Sequence, residues 1–204
     1  GLPLILSTGM AEIADIDRAL AAVAEGGKSP FALLHCTSLY PAPAETLNLT
    51  AMADIAARYR VPVGYSDHHD GDLATLAAVA LGASIIEKHF TLDRTTPGAD
   101  HALSLEPDAF GDMVARIRQV EAMRGDGVKR ATAEEARLKS QRHRCLVARR
   151  DLAAGAALTA DDIALKRPLP GTAGLPPERL AWATGRRLAR ALARNTPIMA
   201  EDIA

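Results

Sequence analysis

The chain has 204 residues, 48% hydrophobic and 24% charged, with a formal net charge of -1, a composition that suits a globular protein of one or two domains. No run approaches the roughly 18 apolar residues of a membrane span, and the N-terminus lacks the charged-then-apolar plan of a signal peptide. An aromatic content of 3% leaves little to stack single-stranded nucleic acid, and two distant cysteines, Cys36 and Cys145, argue against a disulfide framework and for a reducing cytoplasm.

In chain order, the first 125 residues repeat one pattern four times. The apolar run Pro3–Thr8 precedes a segment in which Ile13, Ile16, Leu20 and Val23 recur at helical spacing. Phe31–Cys36 precedes a helix with Leu49, Met52, Ile55, Ala56 and Tyr59 on one face. Val61–Tyr65 precedes a helix stopped near Gly82, and Ser84–Phe90 precedes a loop and a helix opened by Pro107. Continuously apolar strands followed by helices predict parallel strands covered on both faces. No glycine-rich phosphate loop stands at a strand–helix turn, which weighs against a nucleotide fold. Polar residues and histidines gather at strand C-termini instead, as in (β/α)8 barrels. A barrel needs eight strands and four are present, so the expectation is half of one.

Residues 125–143, "GDGVKRATAEEARLKSQRH", are polar without an apolar period and read as a linker with some helix. They separate a partial barrel over 1–124 from a small β-rich domain over 144–204, in which "LTADDI" and "IMAEDI" suggest a pseudo-repeat. Thr159 is the expected N-cap of the first copy. Charge divides along similar lines: residues 1–136 hold 11 Lys+Arg against 19 Asp+Glu, and residues 137–204 hold 13 against 6. The basic part suits an anionic partner or is a solvated Arg-rich surface.

The strand ends carry the chemistry. His68 and His89 close consecutive strands and stand within reach of one ion if those strands are neighbours; imidazoles with open positions suit Mn, Fe, Co or Zn. Each is equally readable as a satisfied core or loop residue. Alternation along an extended chain keeps His69 from sharing the mouth with His68 and turns Lys88 away from His89. A barrel aldolase would need a Schiff-base lysine at a strand end, and Lys88 is the wrong way round for it. His35 lines the site or packs in the core; Cys36 reads as a buried small hydrophobe. Asp100 is a substrate contact or a solvated loop acid.

The ordered segments "LILSTGM", "LLHCTSLYPAP", "VGYSDHHDG", "ALGASIIEKHFTLD", "PGADHALSLEPDAF" and "ALKRP" resemble the N-acetylneuraminate (sialic acid) synthase family, which includes the legionaminic and pseudaminic acid synthases. The last 60 or so residues resemble its antifreeze-like SAF domain. The resemblance implies the C-terminal half of a (β/α)8 barrel that condenses phosphoenolpyruvate with an N-acetylated sugar aldehyde, using Mn2+ or another divalent ion such as Mg2+ or Co2+. It implies His68 and His89 as metal ligands, and Ser7, Ser38 and Ser66 as phosphoenolpyruvate contacts. Tyr40 and Asp100 fall near the sugar, and Arg167 reaches the partner subunit's site in a domain-swapped homodimer. The family's catalytic Glu, its phosphate-binding Lys and its first four strands have no counterpart here. The expectation is therefore a portion that is inactive alone, completed by a missing N-terminal half barrel. The alternative is a non-catalytic carbohydrate- or partner-binding protein built on the same two domains.

Overall fold

In a computed structural model that describes residues 2–27, 29–169 and 172–204, the chain divides into units spanning 1–128 and 129–204. The first unit realises four βα pairs: β1 (Leu4–Ser7), α1 (Ile13–Glu25), β2 (Phe31–Cys36), α2 (Ala51–Tyr59), β3 (Val63–Asp67), α3 (Leu73–Ala80), β4 (Ile86–Lys88) and α4 (Pro107–Arg124). The strands form one parallel sheet in the order β1-β2-β3-β4, a curled half barrel with helices. Its core lies on the helix side. Leu33, Val63 and Tyr65 point there and meet Ile16 of α1, Met52 and Ile55 of α2, and Ala74 and Ala78 of α3. These helix residues recur at three- and four-residue spacing, which places them on one stripe per helix.

Because strand side chains alternate, Leu34, Cys36, Gly64 and Ser66 project from the opposite face. That face is crowded at Gly64, where an added Cβ would stand 2.4 Å from the Ile85 carbonyl oxygen and 2.6 Å from Leu34 Cδ2. The sheet ends openly: Ile5 of β1 is 58% exposed, and beyond β4 the pairing continues only as a single Phe90–Leu105 bridge among the described residues.

The second unit begins with α5 (Ala133–Arg142), inside the segment expected to be a linker. Its start is a capping box: Thr132 Oγ1 accepts from the Glu135 backbone N–H at 3.1 Å, and Glu135 accepts the Thr132 N–H at 2.8 Å. Its described side chains are almost all exposed, so no apolar stripe marks this helix in the sequence. Beyond it, β5 (Cys145–Ala148) and β6 (Ile163–Lys166) pair antiparallel, and α6 (Leu180–Ala183) closes one end.

The pseudo-repeat is structural. Arg150, Leu152, Leu158, Asp162 and Ile163 recur 40 residues later as Arg190, Leu192, Ile198, Asp202 and Ile203. Asp162 accepts from Arg150 Nε at 2.8 Å and from the Thr159 N–H at 3.0 Å; Asp202 accepts from Arg190 Nε at 2.5 Å and from the Met199 N–H at 2.8 Å. Leu152 and Leu192 exchange backbone hydrogen bonds of 2.8 and 2.9 Å across the join. Gly155 and Asn195 hold the equivalent left-handed turn position, at φ 77° and 69°, a conformation that Gly and Asn adopt most readily. The repeats share one core of Leu146, Leu152, Leu158, Ile163, Leu188, Leu192 and Ile198. No helix among the described residues is long and apolar enough to cross a membrane.

Candidate functional site

The C-terminal ends of β3 and β4 build the site. Register pairs Ser66 with Glu87 and Asp67 with Lys88, so His68 and His89 are the next residues on adjacent strands. Ser66, Glu87, His68 and His89 share the face away from the helices, whereas Asp67 and Lys88 turn toward them. The two imidazoles approach edge to face, with ring centroids 5.1 Å apart and planes at 79°. Tyr40, from the loop after β2, lays its ring 4.2 Å from His68 and 5.8 Å from His89.

His68 is 7% exposed, and its Nδ1 stands 2.9 Å from the Thr37 carbonyl oxygen. A carbonyl only accepts, so in the neutral ring Nδ1 carries the proton and Nε2 keeps its lone pair. That is the tautomer a ring needs to ligate through Nε2, with its other nitrogen held by a backbone carbonyl. His69 goes the other way: its Nδ1 donates to the Ala42 carbonyl at 2.8 Å, and it lines a separate hollow with Leu47, Leu49 and Leu73. His35 also leaves the site. Its Nε2 bonds the Leu47 carbonyl at 2.7 Å, and its ring packs against Tyr65 on the helix side.

Among the described residues no group of three or more His, Cys, Asp or Glu side chains converges as a ligand set. The His68–His89 pair thus offers two nitrogens, which fits an ion that takes its remaining ligands from water and substrate.

The serines fall differently. Ser66 is 2% exposed and donates to Glu87 Oε1 at 2.6 Å, a carboxylate that sequence reasoning did not single out. Ser38 sits against Gly9, where an added Cβ would come within 2.1 Å of Ser38 Oγ; glycine is what lets the two loops meet. Ser7 is exposed at the end of β1. Cys36 is more than core filling: its Sγ is 3.7 Å from His68 Nδ1 and 4.0 Å from Ser38 Oγ. The sequence could not show this, because it depends on the β2–β3 register.

Asp100 is exposed on the loop after β4, at the N-cap position of the short 3-10 turn His101–Leu103 but without a side-chain capping bond. Arg94 pins that loop: its Nε donates to the Ala102 carbonyl at 2.9 Å, and its guanidinium reaches Asp70, on the loop after β3, at 3.1 Å. Arg167 is exposed directly after β6, in the second unit.

Behind the imidazoles lies a buried polar cluster. Asp67 and Lys88 have side chains 0% exposed and stand 3.1 Å apart. Asp67 also accepts from Thr75 Oγ1 of α3 at 2.6 Å and from the His69 N–H at 2.8 Å. Lys88 Nζ donates to the His69 carbonyl. The Tyr65 hydroxyl beside them is buried without a hydrogen-bond partner among the described residues. Burial first, then the Asp67 charge, pushes its pKa above the usual phenol range.

The NeuB family model matches residues 1–129, and the SAF domain model matches residues 143–204. The N,N'-diacetyllegionaminic acid synthase of Legionella pneumophila is 39% identical over 206 residues, covering 99% of this chain and 57% of that protein. Among solved structures, the sialic acid synthetase of Leptospira borgpetersenii aligns at 40% identity and a TM-score of 0.60, over 66% of this chain and 48% of that one. The spore coat polysaccharide biosynthesis protein SpsE of Bacillus subtilis aligns at 36% identity and a TM-score of 0.55, over 99% and 61%. The chain spans about half the length of the curated relatives it matches.

Proposed function

The chain belongs to the NeuB family and carries an SAF domain, and on that premise we propose that it forms the metal-binding portion of a sialic-acid-type synthase. The reaction proposed joins the methylene carbon of phosphoenolpyruvate to the aldehyde carbon of an open-chain N-acetylated sugar. Water adds at C2 of the phosphoenolpyruvate moiety and inorganic phosphate leaves, giving a nine-carbon 2-keto acid. The observation that carries the reading is the paired approach of His68 and His89 under Tyr40.

His68 and His89 would hold a divalent ion such as Mn2+, which supplies Lewis-acid polarisation of a carbonyl oxygen. The remaining roles belong to the chain's own groups. The Thr37 carbonyl fixes the neutral His68 tautomer that leaves Nε2 free to ligate. Tyr40 packs its ring beside both imidazoles. Ser66, Ser38 and Ser7 offer hydroxyls that hydrogen-bond a carboxylate or phosphate oxygen. For Ser66 to donate to such an anion, its proton must swing away from Glu87. Asp100 accepts from sugar hydroxyls, and Arg167 contributes positive charge to the site of a partner subunit in a domain-swapped homodimer. The setting proposed is the cytoplasm.

A chimera tests the reading. Fused behind the N-terminal part of the Legionella pneumophila synthase, these residues are expected to support Mn2+-dependent phosphate release from phosphoenolpyruvate and an N-acetylated sugar. His68→Ala should abolish that release, while the 204 residues alone should stay at background. A folded chimera that binds sugar yet releases no phosphate would favour a carbohydrate-binding module instead.

A further inference from the structure

The pairing in β3 and β4 stops at Asp67 and Lys88, one residue short of the two imidazoles. The β3–β4 ladder therefore does not reach the backbone that aims His68 and His89. The His68 carbonyl accepts from the Ala42 N–H and the His89 carbonyl from the Leu105 N–H, each at 2.9 Å, and the buried cluster on the other face grips the turn after His68. The Asp67 side chain reaches over its neighbour to the His69 N–H at 2.8 Å, closing a tight turn around His68 of the kind aspartates favour. From the next strand, Lys88 reaches the His69 carbonyl and the Asp67 carboxylate. His68 is thus bracketed on both sides by groups that the pair grips, and the strand supplying Lys88 carries His89 next. Thr75 ties the assembly to α3.

We infer that the buried Asp67–Lys88 pair is a positioning device that sets the aim and separation of the His68 and His89 rings. Stability is a poor reason for keeping two charges with side chains 0% exposed, because a well-packed apolar pair in such a place is often neutral or better. An apolar pair could fill the same volume between sheet and α3. It could not hold both the N–H and the carbonyl of His69. What the ions add is the orientation of one turn relative to one strand, and both elements present an imidazole to the same point.

The inference rests on His68 and His89 being ligands, so its test separates the two ideas. In the full chain, Asp67→Val with Lys88→Met replaces the pair without leaving one charge stranded. Three quantities are read: the urea midpoint of the first unit, the Mn2+ dissociation constant from electron paramagnetic resonance, and the 15N shifts of His68 without metal. The double variant is expected to stay folded, to bind Mn2+ at least about tenfold more weakly, as losses of outer ligand supports do, and to lose the single Nδ1–H tautomer of His68. A folded double variant with the wild-type dissociation constant and unchanged His68 shifts overturns the inference. If the double variant does not fold, Asp67→Asn with Lys88→Met, which keeps an acceptor for the His69 N–H, strands no charge and releases the His69 carbonyl, is read the same way. A wild-type chain that binds no Mn2+ overturns the ligand reading alone, and the His68 shifts then decide the positioning role.

Discussion

Part of the first unit's buried polarity is spent in a way that the second unit's is not. In the second unit, Asp162 and Asp202 are 3% and 0% exposed, and each closes a turn of its own repeat and holds an arginine. The two repeats make the same structural choice, and both carboxylates are engaged in contacts within the unit. In the first unit, Ser66 and His68 are buried just as deeply, yet they collect at one end of one sheet with a ring lone pair uncommitted. Buried polarity that closes on itself serves the fold, and buried polarity that opens on a shared face marks a site.

The contrast can be broken by experiment, because the spectroscopic probes are separate. The chain's single tryptophan, Trp182, lies in the second unit beneath Arg186, 4.5 Å from its ring, and all three tyrosines lie in the first. The largest effect is expected from Leu146→Ala, which removes a fully buried side chain and should cost the Trp182 transition about 2–5 kcal/mol. Asp202→Ala should cost that transition about 1–3 kcal/mol through the turn donors and arginine it strands. Mn2+ binding should be untouched by both. His68→Ala should lower stability of the first unit by only about 1 kcal/mol while removing Mn2+ binding. Equal stability losses in His68→Ala and Asp202→Ala would erase the distinction. Arg190→Ala should move the Trp182 transition by less than about 1 kcal/mol, since that side chain is 60% exposed.

Acid sharpens the same contrast. The Thr159 hydroxyl foremost, then the Thr159 backbone N–H, with Arg150 assisting, holds the Asp162 carboxyl below its ordinary pKa. A depressed folded value means that this carboxylate's contribution is complete above the unfolded value of about 3.9. It is lost as pH falls further through the folded value. Urea midpoints followed by Trp182 fluorescence should drop steeply below about pH 4 in the wild type, and less so in Asp162→Asn.

Legibility in the sequence followed the same division. β2 begins and ends where its apolar run does, Phe31–Cys36, because a strand covered on both faces is apolar throughout. β4 is shorter than its run, Ile86–Lys88 within Ser84–Phe90, since its pairing with β3 ends at Lys88, one residue before His89. α5 starts on a capping box at Thr132, but no apolar period marks it as a helix in the sequence. Alternation along one strand was enough to separate His68 from His69 and to turn Lys88 away from His89. The contacts of Cys36, Glu87 and Asp67 each depend on which residue stands opposite on the next strand. That register is set by tertiary packing, and a single sequence does not display it.

The most direct test of the central claim is a Mn2+ titration of the full chain and its His68→Ala, His89→Ala and His69→Ala variants, read by electron paramagnetic resonance. The account predicts that binding is lost in the first two and retained in the third. Binding that survives His68→Ala and His89→Ala, or that falls equally with His69→Ala, would contradict it.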